Sequence, residues 1–374
     1  MNLFIGDFDL TADKDYKHVM KHLRNLLLHK MGTLVNSMHI TSALLHFHLK
    51  ENNVSTLRLD YLLNPHDRQN IPLCYSLLKE VWSLRDPSPS DKPSFVAARR
   101  ALQLLGTLFH HIIVPFIQIN LSLHEQLSHL SAAAHFATFL YTINGAKNKA
   151  LQSLTFQDII LLVKNAYFCA TKTKVSSPNS KFWIILLGTD RLESMFGLVQ
   201  SMVGMDKNAD ILQLGMWLSH AVECLNIFEK YPEWDHGPKR LKLPAIEDGN
   251  GNVLAKVNHI NPNSWTGDVR VTNVSLATSW NLGQELTESE DPTHGIANLF
   301  SGLDQSGYDM YAPFGCDLKE DTEEELEEAG TCHLDDGEDV MPQVATESAL
   351  QVAIFDVGEG LLLDLEDHVA IEEN

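Results

Sequence analysis

Two acids at the head of one predicted helix are the residues best placed for chemistry. Asp190 and Glu193 stand three apart, just where the apolar run FWIILL, 182–187, breaks at Gly188. From Leu192 onward, Met195, Phe196, Val199, Met202 and Val203 recur at helical spacing and form one apolar stripe. Glu193 falls at the edge of that stripe, on a boundary between core and solvent, where a carboxylate can meet a metal or a partner. The same two acids also fit a plain helix start: Asp190 as N-cap, Glu193 three residues on, both suited to the positive end of the helix dipole. On local pattern alone the cap is the favoured reading.

The other candidates carry weaker signals. His46 and His48, and the adjacent His110 and His111, are imidazole pairs without Cys or His partners at the short, matched spacings of zinc sites. They read as helix-face or core histidines. Lys239, Arg240 and Lys242 form a small basic cluster that can touch phosphate, although a solvated linker accounts for it equally simply. No Gly-x-Ser-x-Gly elbow and no Cys/His nucleophile pair stands out. The five cysteines (74, 169, 224, 316 and 332) are scattered without a Cys-x-x-Cys pair, which reads as reduced thiols in an intracellular protein.

The chain has 374 residues, 44% of them hydrophobic, enough for one large domain or two ordinary ones. Its formal charge of −21 is unevenly spread. Residues 285–374 hold 26 Asp plus Glu against the single Lys319, so the body up to 284 is close to neutral. The acidic whole disfavours non-specific nucleic-acid binding, while the body taken alone leaves it open. MNLFIGDFDL shows no secretory pattern, and no uninterrupted apolar stretch is long enough to span a bilayer.

The elements that must position these residues are mainly helical. Helices are expected from Asp15, over Thr41–Lys50, from 54 to Leu63, over Ile71–Leu84, from Phe95 to a kink or end near Pro115, over Leu121–Ile143 and Thr155–Lys172, from Asp190, and over Asp206–Tyr231. Met31–Asn36 reads as a turn, and RDPSPSDKP, 85–93, as a connection. After Pro232 the pattern turns basic and turn-rich. DGNGN, 248–252, signals a hairpin, and 264–280 can make a strand and a short helix. From Glu285 the density of acids predicts disorder, interrupted by an apolar island at 349–365 that suits partner-coupled folding.

Three stretches in order resemble the P-element-like transposases, a group that includes the THAP-type DDE transposases. The first holds an acid three residues before a histidine, then Lys-x-x-Arg-Asn: Asp15, His18, Lys21, Arg24 and Asn25. The second is an Asn-Pro-x-Asp-x-Gln-Asn turn at Asn64, Pro65, Asp67, Gln69 and Asn70. The third, Asp-x-Leu-Glu-x-x-Phe-Gly, falls on Asp190, Leu192, Glu193, Phe196 and Gly197. The resemblance covers residues 1–284.

It implies an RNase H-like ancestor interrupted by a helical insertion, cleaving and transferring DNA strands with two metal ions held on Asp, Asp and Glu. Glu193 matches the third carboxylate, a catalytic metal ligand. Asp190 matches an acid at the GTP site of the insertion, so Mg2+ and GTP are the implied cofactors, although no Walker-type loop is present. The first two aspartates belong upstream of the segment with which this sequence begins. One carboxylate cannot hold two metals, so no transposase activity is expected.

The resulting expectation is a mainly α protein. Residues 1–240 form the transposase-like region (insertion about 26–180, glutamate helix 189–204), 241–284 an extended linker or subdomain, and 285–374 a disordered acidic tail. The expected function is that of a truncated, catalytically inactive transposase-derived protein. The alternative is a helical protein-interaction or guanine-nucleotide-binding module without DNA chemistry. Ancestral DNA and a protein partner for the acidic tail are the expected partners, a membrane is not, and the resemblance implies a nuclear location.

Overall fold

The computed structural model describes residues 14–35, 38–65, 67, 70–143, 153–203, 210–231, 234, 246–247, 253–254, 262–290 and 296–307. Outside them lie the acidic stretch from 308 on with its apolar island, the basic cluster at 239–242, and Gln69. The side chains of Asp190 and Glu193 are likewise not described, although their backbone is.

The chain is mainly helical. Its helices are α1 (Tyr16–Leu27), α2 (Ser42–Glu51), α3 (Thr56–Leu62), α4 (Ile71–Trp82), α5 (Pro93–Ile117), α6 (Leu123–Ile143), α7 (Ser153–Ser176), α8 (Asp190–Val203), α9 (Ile211–Lys230), α10 (Leu276–Glu290) and α11 (Ile296–Ser306). Side chains close several of their starts. Asp15, Thr41 and Asn70 accept from the backbone of Lys17, Leu44 and Leu73. Ser122 with Glu125, and Asp210 with Gln213, are reciprocal capping boxes.

The stretch expected as a turn at 31–36 contributes instead to a hairpin. β1 (Thr33–Val35) pairs antiparallel with β2 (Met38–Ile40), Thr33 opposite Ile40. Gly32 makes this possible. Its φ is +65°, and a Cβ there would sit 2.5 Å from the Ile40 carbonyl oxygen. A second small pair, β3 (Ile246–Glu247) with β4 (Val253–Leu254), flanks the predicted DGNGN turn.

α6 is the axis of the core. It packs against α5, α7 and α10, and from Leu127 to Leu140 its apolar residues are buried on every side. Ala132, Ala133 and Ala134, all fully buried, let its neighbours come close. One hydrophobic cluster runs from Tyr16 to Phe300. α1 lies against α4, α5 and α7, with Tyr16 stacked on Phe116 of α5 at 4.5 Å. The segment 266–271 straps the turn between α5 and α6 to the loop before α8. Thr266 and Gly267 donate to the Ile119 carbonyl, Leu123 to that of Asp268, and Phe182 to that of Val269.

Two helices occupy ground where the residue pattern predicts an extended stretch and the onset of the acidic tail. α10 runs to Glu290, and α11 buries Ile296 and Phe300 beyond it. The cause lies in the contact face of α10. Its buried positions are Ser279, Gly283 and Thr287, one per turn, small residues that let it approach α6 closely, with Trp280 beside them against His135. Ser131 Oγ donates to the Trp280 carbonyl at 2.7 Å, and Thr287 Oγ1 to the Ala132 carbonyl at 3.3 Å. A hydrophobic-periodicity reading finds no apolar residue at those three buried positions.

α5 and α9 are both long and apolar enough, by length and composition, to cross a membrane. In α5, 78% of the apolar window is buried, so its apolarity serves the core. In α9 only 6% is buried. α9 passes on its average, since Gln213, Ser219, His220 and Glu223 break the uninterrupted run that the sequence reading requires.

Candidate functional site

α1 gathers the three stretches singled out from the sequence. Its N-cap acid, Asp15, is buried and bonded in two directions. Oδ1 accepts from the Lys17 N–H at 2.7 Å, which caps α1. Oδ2 accepts from the Thr189 N–H at 3.1 Å and the Thr189 hydroxyl at 2.9 Å, across 174 residues of chain. Gly188, at φ +146°, forms the turn beneath it; a Cβ there would lie 3.3 Å from Asp15 Oδ2. α8 then opens on Asp190 itself, not one residue after it, so Asp190 stands inside the first turn rather than before it.

At the other end of α1, Arg24 is fully buried and reaches into the second stretch. Its guanidinium donates to the carbonyls of Leu62 (3.4 Å), Asn64 (2.5 Å) and Asp67 (3.3 Å), holding the chain where α3 ends. Asn70 caps α4 and donates to Asp67 Oδ2 at 2.7 Å. The Asn-Pro-x-Asp turn is therefore a structural clasp closed by Arg24. Burial pulls the Arg24 guanidinium below its ordinary pKa, an effect partly opposed by nearby Cys74 and Asp67. Burial pushes the Cys74 thiol up to about 11, which leaves it an inert core residue rather than a nucleophile.

A second anchor, not anticipated from sequence, joins α1 to α7. Asp158 is buried between Lys14 Nζ and His22 Nδ1, each 2.8 Å from a carboxylate oxygen. Burial raises its pKa, but the hydrogen bonds from His22 and Lys14 outweigh that and hold it below the ordinary carboxylate range.

The side chains of the implied metal ligand, Glu193, and of the implied nucleotide-site acid, Asp190, lie outside the described residues. Asp15 is the described carboxylate beside the head of α8, and both its oxygens are already spent on backbone and hydroxyl donors. A helix N-terminus is the natural seat of a phosphate. Here the Thr189 N–H faces an internal carboxylate, which would repel a nucleotide phosphate from the same spot.

Exchanging Asp15 for alanine is expected to cost about 2 kcal/mol, from a lost N-cap and a lost tie to Thr189. Amide exchange should quicken at 188–192 while α5 and α6 remain protected. Unchanged exchange at 188–192 would show that the tie does not hold α8.

The apolar stripe of α8 is only partly covered. Val199 is buried, but Leu192 and Phe196 are each 52% exposed and Met202 38%. The apolar residues of α9 behave alike: Ile211 is 90% exposed and Val222 48%, while Ala221 is buried. α8 packs chiefly on α9, so each supplies the other with only part of an apolar partner.

Histidines decide the acid behaviour of the core. His48 accepts from Arg99 Nε at 3.2 Å, and His135 Nδ1 lies 2.8 Å from the Ser131 carbonyl, between Trp280 and Phe300. Burial pushes His135 down to about 4, and burial plus the Arg99 charge pushes His48 to about 3, from an ordinary 6.5. Both are neutral in the fold and protonate near 6.5 when released, so the unfolded state binds the extra protons. Their contribution is complete above about pH 6.5 and drains away toward pH 4. Urea midpoints should accordingly fall steadily between pH 7 and pH 4.5; a flat profile would contradict this.

His110 and His111, which have no partner at short sequence spacing, gain one in space. α5 and α6 are joined by a short turn, and this brings His129 of α6 alongside. His111 Nδ1 and His129 Nδ1 lie 2.8 Å apart. One ligand atom from each of the three imidazoles lies within 4.8 Å of the others.

No protein-family model matches the chain, and no curated protein or solved structure is significantly similar to it.

Proposed function

We propose that this chain is a transposase-derived protein that does not cleave DNA and acts as a helical interaction module. In this reading its helices descend from the insertion and the final-glutamate region of an RNase H-like ancestor. The observation that carries it is the double commitment of Asp15: both oxygens of this carboxylate beside the head of α8 serve a structural tie between α1 and α8. The meeting of all three resembling stretches around α1 supports reading them as parts of one structural unit.

The interaction reading draws on the uncovered faces of α8 and α9. Large exposed apolar residues on two helices packed against each other mark contact surfaces in water-soluble chains. Leu192, Phe196, Ile211, Leu212 and Met216 form the proposed contact, with an apolar protein surface as the partner.

A photo-crosslinking residue placed at position 212, with a control at the equally open Leu57 of α3, tests it in cells. The expected result is one protein adduct formed from position 212, absent from position 57 and lost in Ile211→Glu. Adducts that do not differ between the two positions, or lipid adducts alone, would overturn the reading.

A further inference from the structure

We propose that His110, His111 and His129 form a zinc-binding site between α5 and α6. Three imidazole nitrogens from two helices converge within 4.8 Å. Zinc takes imidazole nitrogen at about 2.0–2.1 Å in a tetrahedral arrangement, which sets ligand nitrogens about 3.3 Å apart. The His111–His129 separation of 2.8 Å therefore needs to open by only about half an ångström. His110 needs a rotamer adjustment toward the same point. Three protein nitrogens leave the fourth position to water, the open form of a zinc site.

The surroundings suit a cation held by neutral ligands. Without a metal, the 2.8 Å contact obliges one Nδ1 to carry a proton and the other to accept it; zinc takes the place between them when that ring shifts its proton from Nδ1 to Nε2. Glu125, one turn ahead of His129 on α6, supplies negative charge nearby. Trp82 packs edge-on to His110 at 5.7 Å and Phe136 lies against His111, which keeps the rings from swinging away. Imidazole-only ligation with partial burial selects a borderline ion such as Zn2+ over Mg2+ or Ca2+, which prefer oxygen.

The full chain, expressed without a polyhistidine tag, is titrated with Zn2+ by calorimetry and with Co2+ by visible absorption. The expected result is one tight Zn2+ per chain and the absorption bands of low-coordinate Co2+. His111→Gln and His129→Gln should each weaken binding tenfold or more, while His46→Gln leaves it unchanged. Where circular dichroism shows that a buried variant has unfolded, His110→Gln on the half-buried partner carries the same comparison. Equal zinc stoichiometry and affinity in wild type and His129→Gln, or in wild type and His110→Gln, would overturn the site, as would Co2+ bound only in octahedral form.

Discussion

Arg24→Ala is expected to lower unfolding stability by about 3 kcal/mol, read as a fall in the urea midpoint without a change in slope. The guanidinium is fully buried and supplies the donors for three carbonyls at the end of α3. Hydrogen bonds to a charged donor are worth about 1.5–3 kcal/mol each, and stranding the acceptors costs more than pairing them gains. Against this stands the desolvated charge, whose Nε is buried without a partner among the described residues, so the net stays well below the simple sum. Arg24→Lys should recover less than half, because one ammonium cannot spread donors over Leu62, Asn64 and Asp67 at once. A loss below about 1 kcal/mol for Arg24→Ala would mean that the turn from 62 to 67 holds itself.

Gly283→Ala should destabilise the protein by about 2–3 kcal/mol, although alanine is the better helix former by up to about 1 kcal/mol. A Cβ at 283 would meet Ser131 Cβ at 2.3 Å and the Ala132 nitrogen at 2.6 Å. Neither is the far end of a flexible side chain, so α10 must lift from α6. Lifting it strains the Ser131–Trp280 and Thr287–Ala132 bonds, and with them the contact at 3.2 Å between the Tyr167 and Ser279 hydroxyls. Adding Ser131→Gly makes room from the α6 side and should restore part of the loss. A rise in stability for Gly283→Ala alone would contradict the close crossing.

Helix α1 was open to reading from residue types because its signals are local. Asp15 caps it, and Val19, Met20, Leu23, Leu26 and Leu27 are all buried as their spacing requires. The starts of α2 and α4 follow from equally local caps, Thr41 and Asn70. What could not be read is whatever depends on distant partners. Asp15 meets Thr189 across 174 residues, and no pattern within either segment announces it. His129 joins His111 only because α5 and α6 lie side by side; His-His pairing at a separation of 18 is not a ligand spacing that stands out. α10 escaped because its buried face is Ser279, Gly283 and Thr287.

The acids at 190 and 193 illustrate the same divide. The position of Glu193 in the first turn of α8 follows from sequence. The carboxylate that approaches the head of that helix is Asp15, which is held as a tie. The predicted apolar stripe behind Glu193 is real as a helix face but remains half uncovered, since coverage depends on which surface comes to meet it.

The most direct measurement is strand nicking of supercoiled DNA by the purified full chain with Mg2+ or Mn2+. The account predicts no conversion above background and no difference between wild type and Glu193→Ala. Metal-dependent nicking or strand transfer by the wild type, abolished by Glu193→Ala, would contradict it.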